Sequence, residues 1–109
     1  MDGTVSGGIK CRRRITLLKG VDNKDIVFLK SLLNYTEVRT KDKKVISGYN
    51  LQSLTKHLTE IDFVIPKRGI AINRIHVSYI IENKIYTKSG DSFDISRRKI
   101  KQCLSQIHT

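Results

Sequence analysis

The spacing of apolar and polar positions along the chain predicts a domain built mainly of β-strands. Residues 14–20 form a short segment that includes β-branched Ile15 and Thr16, and residues 25–33 form a mostly apolar run that is too short for an uncapped helix, so both are predicted strands. Charged side chains alternate with valine and threonine over residues 36–47, around a Lys-Asp-Lys-Lys turn. This alternation is typical of a half-exposed hairpin with a basic tip.

Further β structure is expected in the second half of the chain. A β region begins at Phe63, is interrupted by the basic loop at residues 66–69 (Pro-Lys-Arg-Gly), and resumes as far as Ile85. Residues 86–95 have the pattern of a hairpin that turns at Ser-Gly-Asp. Strands are therefore expected on both sides of residue 66.

Two segments carry apolar residues at the spacing of an amphipathic helix. The first covers residues 50–60, with Asn50 as a good N-cap, and its leucines are most simply core residues. The second covers residues 96–107, with Ser96 as N-cap. The apolar side of this second helix consists of Ile100, Leu104 and Ile107.

Composition allows one domain and points to a polyanionic partner. The chain has 109 residues, of which 39% are hydrophobic, enough for a single core. Lys and Arg number 21 against 10 acidic residues, which gives a formal charge of +11 and favours nucleic acid. A membrane surface is a weaker alternative, because the amphipathic stripe is narrow and no run approaches the ~18 apolar residues of a spanning helix. With no secretory segment, a cytoplasmic location is expected.

The sequence predicts a single domain and offers no motif for catalysis, metal binding or a cofactor. Residues 1–9 are predicted to be a flexible tail or a cloning remnant, and residues 10–109 a single domain. Cys11 and Cys103 lack ligand spacing, so two reduced thiols are expected, with a disulfide as the alternative. The histidines show no metal-ligand spacing and no nucleophile elbow or phosphate loop is present, so neither an enzyme nor a cofactor is predicted.

The start of the second predicted helix is unusually basic. Residues 96–102 contain four basic side chains and no acidic one. Helix N-termini expose unpaired N–H groups and a positive dipole end, so cations there oppose folding unless an external anion compensates them. Phosphate is the obvious anion, because helix starts hold its oxygens and arginine adds bidentate contacts to phosphate or guanine. The alternative is an ordinary solvated helix face.

The order of these elements resembles the LytTR family of bacterial DNA-binding domains. The resemblance covers residues 24–107, about four-fifths of the chain. Its matching pieces are the strand at residues 25–29, Asn34-Tyr35, the hairpin, the helix beginning at Asn50-Leu51, Phe63, Ile72-Asn73, and the Gly90-Asp91 hairpin that continues into Ile-Ser-Arg-Arg-Lys at residues 95–99.

The resemblance implies both a fold and a function. The implied fold is mostly β (β-rich α+β), with stacked small antiparallel sheets, one central short helix and a C-terminal helix. The implied function is sequence-specific binding of promoter DNA as a transcription regulator, commonly as the output domain of a two-component response regulator. The implied partners are double-stranded DNA with repeated half-sites, a second protomer on that DNA, and a receiver domain or regulatory partner.

The resemblance also implies which residues contact DNA. The family inserts loops, and not a recognition helix, into successive major grooves. The turn at residues 34–35 corresponds to one loop, the loop at residues 66–69 to a second, and the start of the last helix to a third. Arg98 best matches the family's arginine, and its basic neighbours are implied phosphate or flanking contacts. The implied DNA-contacting residues are Asn34, Tyr35, Lys67, Arg68, Arg97, Arg98, Lys99 and Lys101.

One loop departs from the family pattern, and other interpretations stay open. Where the family commonly has Arg-x-His-x-Ser, this chain has Ile-Pro-Lys-Arg-Gly at residues 65–69, so the His and Ser are absent.

Residues 34–35 are also compatible with a plain turn and strand. An RNA-binding basic domain is the alternative function. A PilZ-like cyclic dinucleotide sensor, with arginines at residues 12–14 and Asp-Ile-Ser at residues 94–96, is less favoured. The arginine spacing differs from that family's motif, and Arg98 stands where the motif has its glycine.

Overall fold

A computed structural model describes residues 21–107 of the chain. The strand predicted over residues 14–20, the tail over residues 1–9, and Cys11 lie outside the described residues. The described elements are β1 (Ile26–Leu32), β2 (Tyr35–Thr40), β3 (Lys44–Ser47), α1 (Leu51–His57), β4 (Phe63–Lys67), β5 (Ile70–Asn73), β6 (Val77–Ile81), β7 (Lys84–Thr87), β8 (Ser92–Asp94) and α2 (Ile100–Ile107). Short 3-10 helices occupy Asn23–Asp25, Arg74–His76 and Arg97–Lys99.

The strands form two antiparallel sheets, which confirms the predicted fold class. The larger sheet has five strands in the order β3-β2-β1-β5-β4, and the smaller has the order β6-β7-β8. β1 lies at the centre of the larger sheet, where it pairs with both β2 and β5. Because all neighbours are antiparallel, the β1–β2 turn and the β4–β5 turn lie at the same end of this sheet.

Two hydrophobic clusters lie on opposite faces of the five-stranded sheet. On β5, Ala71 belongs to the cluster with Leu54 of α1, whereas Ile72 belongs to the cluster with Ile85 of the small sheet and Cys103 of α2. Adjacent residues of a strand point to opposite faces, so β5 contributes to both cores. α1 therefore covers one face, and the small sheet with α2 covers part of the other.

A buried asparagine lies where the chain leaves the large sheet for the small one. Asn73 ends β5, where its Nδ2 donates to the carbonyl of Ile26 at 2.8 Å and its Oδ1 accepts from the amide of Ile75 at 3.3 Å. The second bond caps the 3-10 helix Arg74–His76, which turns the chain from the large sheet into β6. Asn73 is therefore a structural residue with satisfied hydrogen bonds.

Both predicted helices need correction. Asn50 is the N-cap of α1, with its Oδ1 accepting from Ser53 N at 2.8 Å, but the helix ends at His57 and not at residue 60. The second helix opens with the 3-10 turn and becomes α-helical only at Ile100. In α2 the buried residue is Cys103, and Leu104, predicted on the apolar side, is exposed.

The interruption predicted at residues 66–69 is much shorter in the structure. β4 continues through Pro66 and Lys67, and only Arg68 and Gly69 form the turn into β5. Pro66 is buried, and β4 is an edge strand, the position in a sheet that tolerates proline. The two basic residues are therefore held at a tight hairpin tip and not on a loose loop.

Candidate nucleic-acid interface

Three segments meet at one end of the five-stranded sheet. The amide of Ser31, near the end of β1, donates to the carbonyl of Gly69 in the β4–β5 turn at 2.8 Å. On the other side of that turn, the amide of Ser96 donates to the carbonyl of Pro66 at 2.7 Å. These two bonds join the β1–β2 turn, the β4–β5 turn and the start of the last helix into one row, which we call the tip row.

The first segment of the tip row is the turn between β1 and β2. Leu32 and Tyr35 are paired across the hairpin, so the turn itself contains only Leu33 and Asn34. Asn34 is exposed and Tyr35 is 55% exposed, so both side chains are available to a partner.

The second segment is the β4–β5 turn. Lys67 is paired with Ile70, which leaves Arg68 and Gly69 at the tip. Gly69 has φ +88, a left-handed conformation that side chains rarely adopt, so glycine is required for this turn. Arg68 is exposed and Lys67 is half-buried, so the turn presents two cations beside Ser31.

The third segment is the start of the last helix. Ser96 occupies the N-cap position, but its hydroxyl makes no capping hydrogen bond. Arg97 and Arg98 are exposed and Lys99 is half-exposed, in a turn closed by the bond from Lys99 N to Ser96 O at 2.7 Å. Lys101 follows on the exposed side of α2. The helix start therefore presents cations and unused backbone donors together.

Cys103 fixes α2 against β4 just behind this helix start. Its Sγ lies 3.8 Å from the carbonyl oxygen of Ile65, and its side chain is buried. Burial raises the pKa of the Cys103 thiol, while the nearby Lys99 ammonium lowers it to a smaller extent. The thiol is consequently a neutral packing group at physiological pH.

The cations of the tip row have no acidic partners among residues 21–107. Acidic residues are absent from the three segments, and the ion pairs of the described chain involve other cations. At the opposite end of the sheet, two of the basic residues are paired: Lys41 lies 3.6 Å from Asp25, and Arg74 lies 3.4 Å from Asp62. Part of the positive charge at that end is thus neutralised, whereas the charge of the tip row is left uncompensated.

Comparison with known proteins assigns this arrangement to a family. The family model of the LytTr DNA-binding domain matches residues 18–108. The chain belongs to the LytTr DNA-binding domain family. No curated protein shows a significant sequence match to the chain. Among solved structures, the chain is similar to the LytTr DNA-binding domain of a Bacillus cereus protein described as a methyl-accepting/DNA response regulator. The identity is 16%, the TM-score 0.69, and the match covers 82% of this chain and 86% of that one.

Membership of the LytTr family confirms the resemblance inferred from the sequence and assigns DNA binding in transcription regulation to the chain. All eight residues predicted to contact DNA lie in or next to the tip row of this LytTr domain. Their individual contacts with DNA stay a prediction.

Sequence reasoning missed two residues of the tip row. Lys30 is exposed on β1 in register with Ile70, beside the β4–β5 turn. The sequence feature that could have revealed Lys30 is a lysine within a mostly apolar predicted strand. Leu33 is 99% exposed at the β1–β2 turn, where the pattern had placed it in a buried strand. Both residues extend the surface that this LytTr domain offers to a partner.

Other kinds of site are not found within the described part of the chain. Among residues 21–107, no group of three or more His, Cys, Asp and Glu side chains could hold a metal ion. In the same range, none of the helices is long and apolar enough to cross a membrane.

Proposed function

We propose that this LytTr domain binds promoter DNA sequence-specifically, inserting the tip row into the major groove from one end of the five-stranded sheet. The observation that carries the proposal is the concentration of unpaired cations and exposed amide and hydroxyl groups along three hydrogen-bonded segments. Phosphate contacts position such a surface, and side chains at its tips contact base edges.

Each segment has its own role in this proposal. Asn34 offers the bidentate contact to adenine, and Arg68 and Arg98 offer bidentate contacts to guanine. Tyr35 and Lys67 lie beside these tips and contact flanking bases or sugars. The remaining basic residues contact phosphates, with the free N–H groups at the helix start adding to their attraction. These phosphate-contacting residues are Arg97, Lys99 and Lys101.

The dimensions of the tip row suit a duplex. The strands β2, β1, β5 and β4 are each about 4.8 Å apart, so the row spans roughly 14 Å before the helix start is added. The major groove is about 12 Å wide, so the row is longer than one groove is wide and, with the helix start added, extends past the adjoining backbone toward the next groove. We infer that pairs of protomers occupy repeated half-sites in the cytoplasm, under the control of a receiver domain or another regulatory partner.

An RNA-binding function is not favoured by the surface aromatics. Tyr79 and Tyr86 stack on the outer face of the small sheet, with ring centroids 4.7 Å apart. Their neighbours in register include Ser92 and the ion pair between Lys84 and Asp94, so these neighbours supply no free cation of the kind that single-stranded RNA requires. The tip row, by contrast, carries several unpaired cations.

The first experiment is selection of binding sites from a random duplex library at near-physiological salt, beside a structured RNA pool. We expect the duplex pool to yield a spaced repeat, whose spacing gives the separation of the two protomers. Enrichment only in the RNA pool, or in neither pool, would contradict the proposal. A variant with Arg68 and Arg98 both replaced by alanine is the matched control, and it should no longer enrich guanine at the positions that these arginines contact.

A further inference from the structure

Leu33 is held in a conformation that leucine rarely adopts. Its φ is +43, in the left-handed region, and it is the first of the two turn residues between β1 and β2. Two-residue hairpin turns with positive φ at the first position ordinarily have glycine there. Asn34, which tolerates this region better, stands second and has no positive φ. The turn therefore carries strain at Leu33.

Within the described residues, packing of the Leu33 side chain does not offset this strain. The Leu33 side chain is 99% exposed, whereas Leu29 of β1 and Leu54 of α1 are buried. Single exposed leucines are common on protein surfaces, but this one combines full exposure with strained backbone. Strain of this kind persists at sites where a side chain must be presented to a partner.

The position of Leu33 identifies the partner chemistry. Leu33 precedes Asn34 and lies at the end of the hairpin whose β1 strand is bonded to the β4–β5 turn. It thus projects from the tip row together with the polar groups proposed to contact bases. The large apolar group on the base edges of the major groove is the 5-methyl group of thymine.

We propose that Leu33 contacts the 5-methyl group of a thymine in each half-site and so determines specificity at that base pair. The proposal rests on the proposed function, because it requires the tip row to enter the major groove. Leu33 leaves water when the turn enters the groove, and the adjacent Asn34 fixes the register of the turn on the neighbouring base.

Replacing thymine by deoxyuridine tests the contact, because it removes the methyl group and leaves every hydrogen-bonding group of the base. Each thymine of the selected half-site is replaced in turn, and dissociation constants are measured for the unsubstituted chain and for three variants. Leu33→Gly removes the side chain and suits the positive φ, whereas Leu33→Met keeps an apolar side chain of similar length. Ile75→Ala is the control, since Ile75 is 56% exposed at the opposite end of the sheet.

At one thymine, we expect deoxyuridine to weaken binding of the unsubstituted chain about four-fold, the factor for burying one methyl group. Leu33→Gly should bind the thymine duplex more weakly by a similar factor and respond no further to deoxyuridine. Leu33→Met and Ile75→Ala should retain the discrimination.

The inference is overturned if no thymine matters, or if deoxyuridine affects Leu33→Gly as much as the unsubstituted chain. When these results accompany tight, sequence-specific binding, the thymine contact alone fails. When no duplex is bound specifically, the proposed function fails with it. Thermal unfolding of Leu33→Gly at or above the temperature of the unsubstituted chain shows that the turn has not been damaged.

Discussion

At the scale of single residues, similar side chains have different tasks according to their surroundings. Asn73 is 3% exposed and uses its amide to hold β5 against β1 and to cap a 3-10 helix. Asn34 is exposed at a turn of the tip row. Both match the family pattern, and only burial separates the structural asparagine from the one proposed to contact a base.

Arg98 and Lys101 are both exposed basic residues, but we expect them to make different contacts with DNA. Replacing Arg98 with alanine is expected to cost about 1 to 3 kcal/mol at a cognate site and to relax base preference there, because a bidentate contact is lost. Replacing Lys101 with alanine should weaken all sequences alike, because a phosphate contact is independent of sequence. Competition binding with cognate and random duplexes measures both effects.

Lys56 provides the control for this pair of variants. It is exposed on α1, away from the tip row, so Lys56→Ala should leave both affinities unchanged. Equal losses of Arg98→Ala on cognate and random DNA would show that Arg98 does not contact a base.

At the scale of elements, the first turn of the last helix has a charge pattern that disfavours helix formation. Three basic residues occupy its first turn, and the hydroxyl of Ser96 does not cap it. A helix start normally attracts acidic side chains, so this turn is stabilised by docking against β4 and not by its own sequence. The bond from Ser96 N to Pro66 O and the burial of Cys103 provide that docking.

Substitution of Ser96 by aspartate should therefore raise stability and lower DNA affinity. A carboxylate at the N-cap is expected to add about 0.5 to 1 kcal/mol to the free energy of unfolding, through capping and the helix dipole. The same charge would face phosphate, and we expect roughly ten-fold weaker binding. Urea denaturation and DNA titration measure the two effects.

Ser96→Asn separates capping from charge. Its amide oxygen can cap the helix without adding a negative charge, so it should stabilise the domain and leave affinity almost unchanged. If Ser96→Asp bound DNA as tightly as the unsubstituted chain, the helix start would not face phosphate.

At the scale of the whole molecule, charge is distributed unevenly between the two ends of the large sheet. β1 has seven residues, so the ends are separated by about 20 Å. Asp25 and Asp62, each within ion-pairing distance of a cation, lie at the end remote from the tip row. Because the tip row is free of acidic residues, we expect the domain to approach a polyanion with this end first.

Salt should therefore weaken DNA binding steeply. With roughly six to ten phosphate contacts in the bound complex, affinity is expected to fall by about 10³ to 10⁵ between 50 and 200 mM salt. Joint replacement of Arg97 and Lys101 by glutamine should reduce the slope of log affinity against log salt by about 1.8, since each contact contributes about 0.9. A salt titration of duplex binding gives both values.

A double variant of Lys43 and Lys44 is the control for the Arg97 and Lys101 double variant. They belong to the β2–β3 hairpin at the end remote from the tip row, so replacing both by glutamine should leave the slope unchanged. A flat salt response of the unsubstituted chain, or equal effects of the two double variants, would contradict an interface at the tip row.

Much of the element order followed from the sequence alone. Alternation and apolar runs predicted β1 and the hairpin of β2 and β3, and Asn50 predicted the start of α1, because strand periodicity and side-chain caps are local properties. The charge and the ordered motifs were enough to indicate the family. The element ends were less accurate: α1 stops early and the last helix opens as a 3-10 turn, because packing against β4 and β1 competes with local propensity.

Only the tertiary structure decided which residues share a surface. The turns at residues 33–34 and 68–69 and the helix start at residue 97 are far apart in the chain, and two backbone hydrogen bonds join them because β1, β5 and β4 are neighbours in the sheet. Strand order depends on long-range pairing that local patterns do not encode. The exposure of Leu33 and the burial of Cys103 depend on the same long-range packing. The sequence therefore determined the chemistry of the side chains, and the fold determined which of them lie together in the tip row.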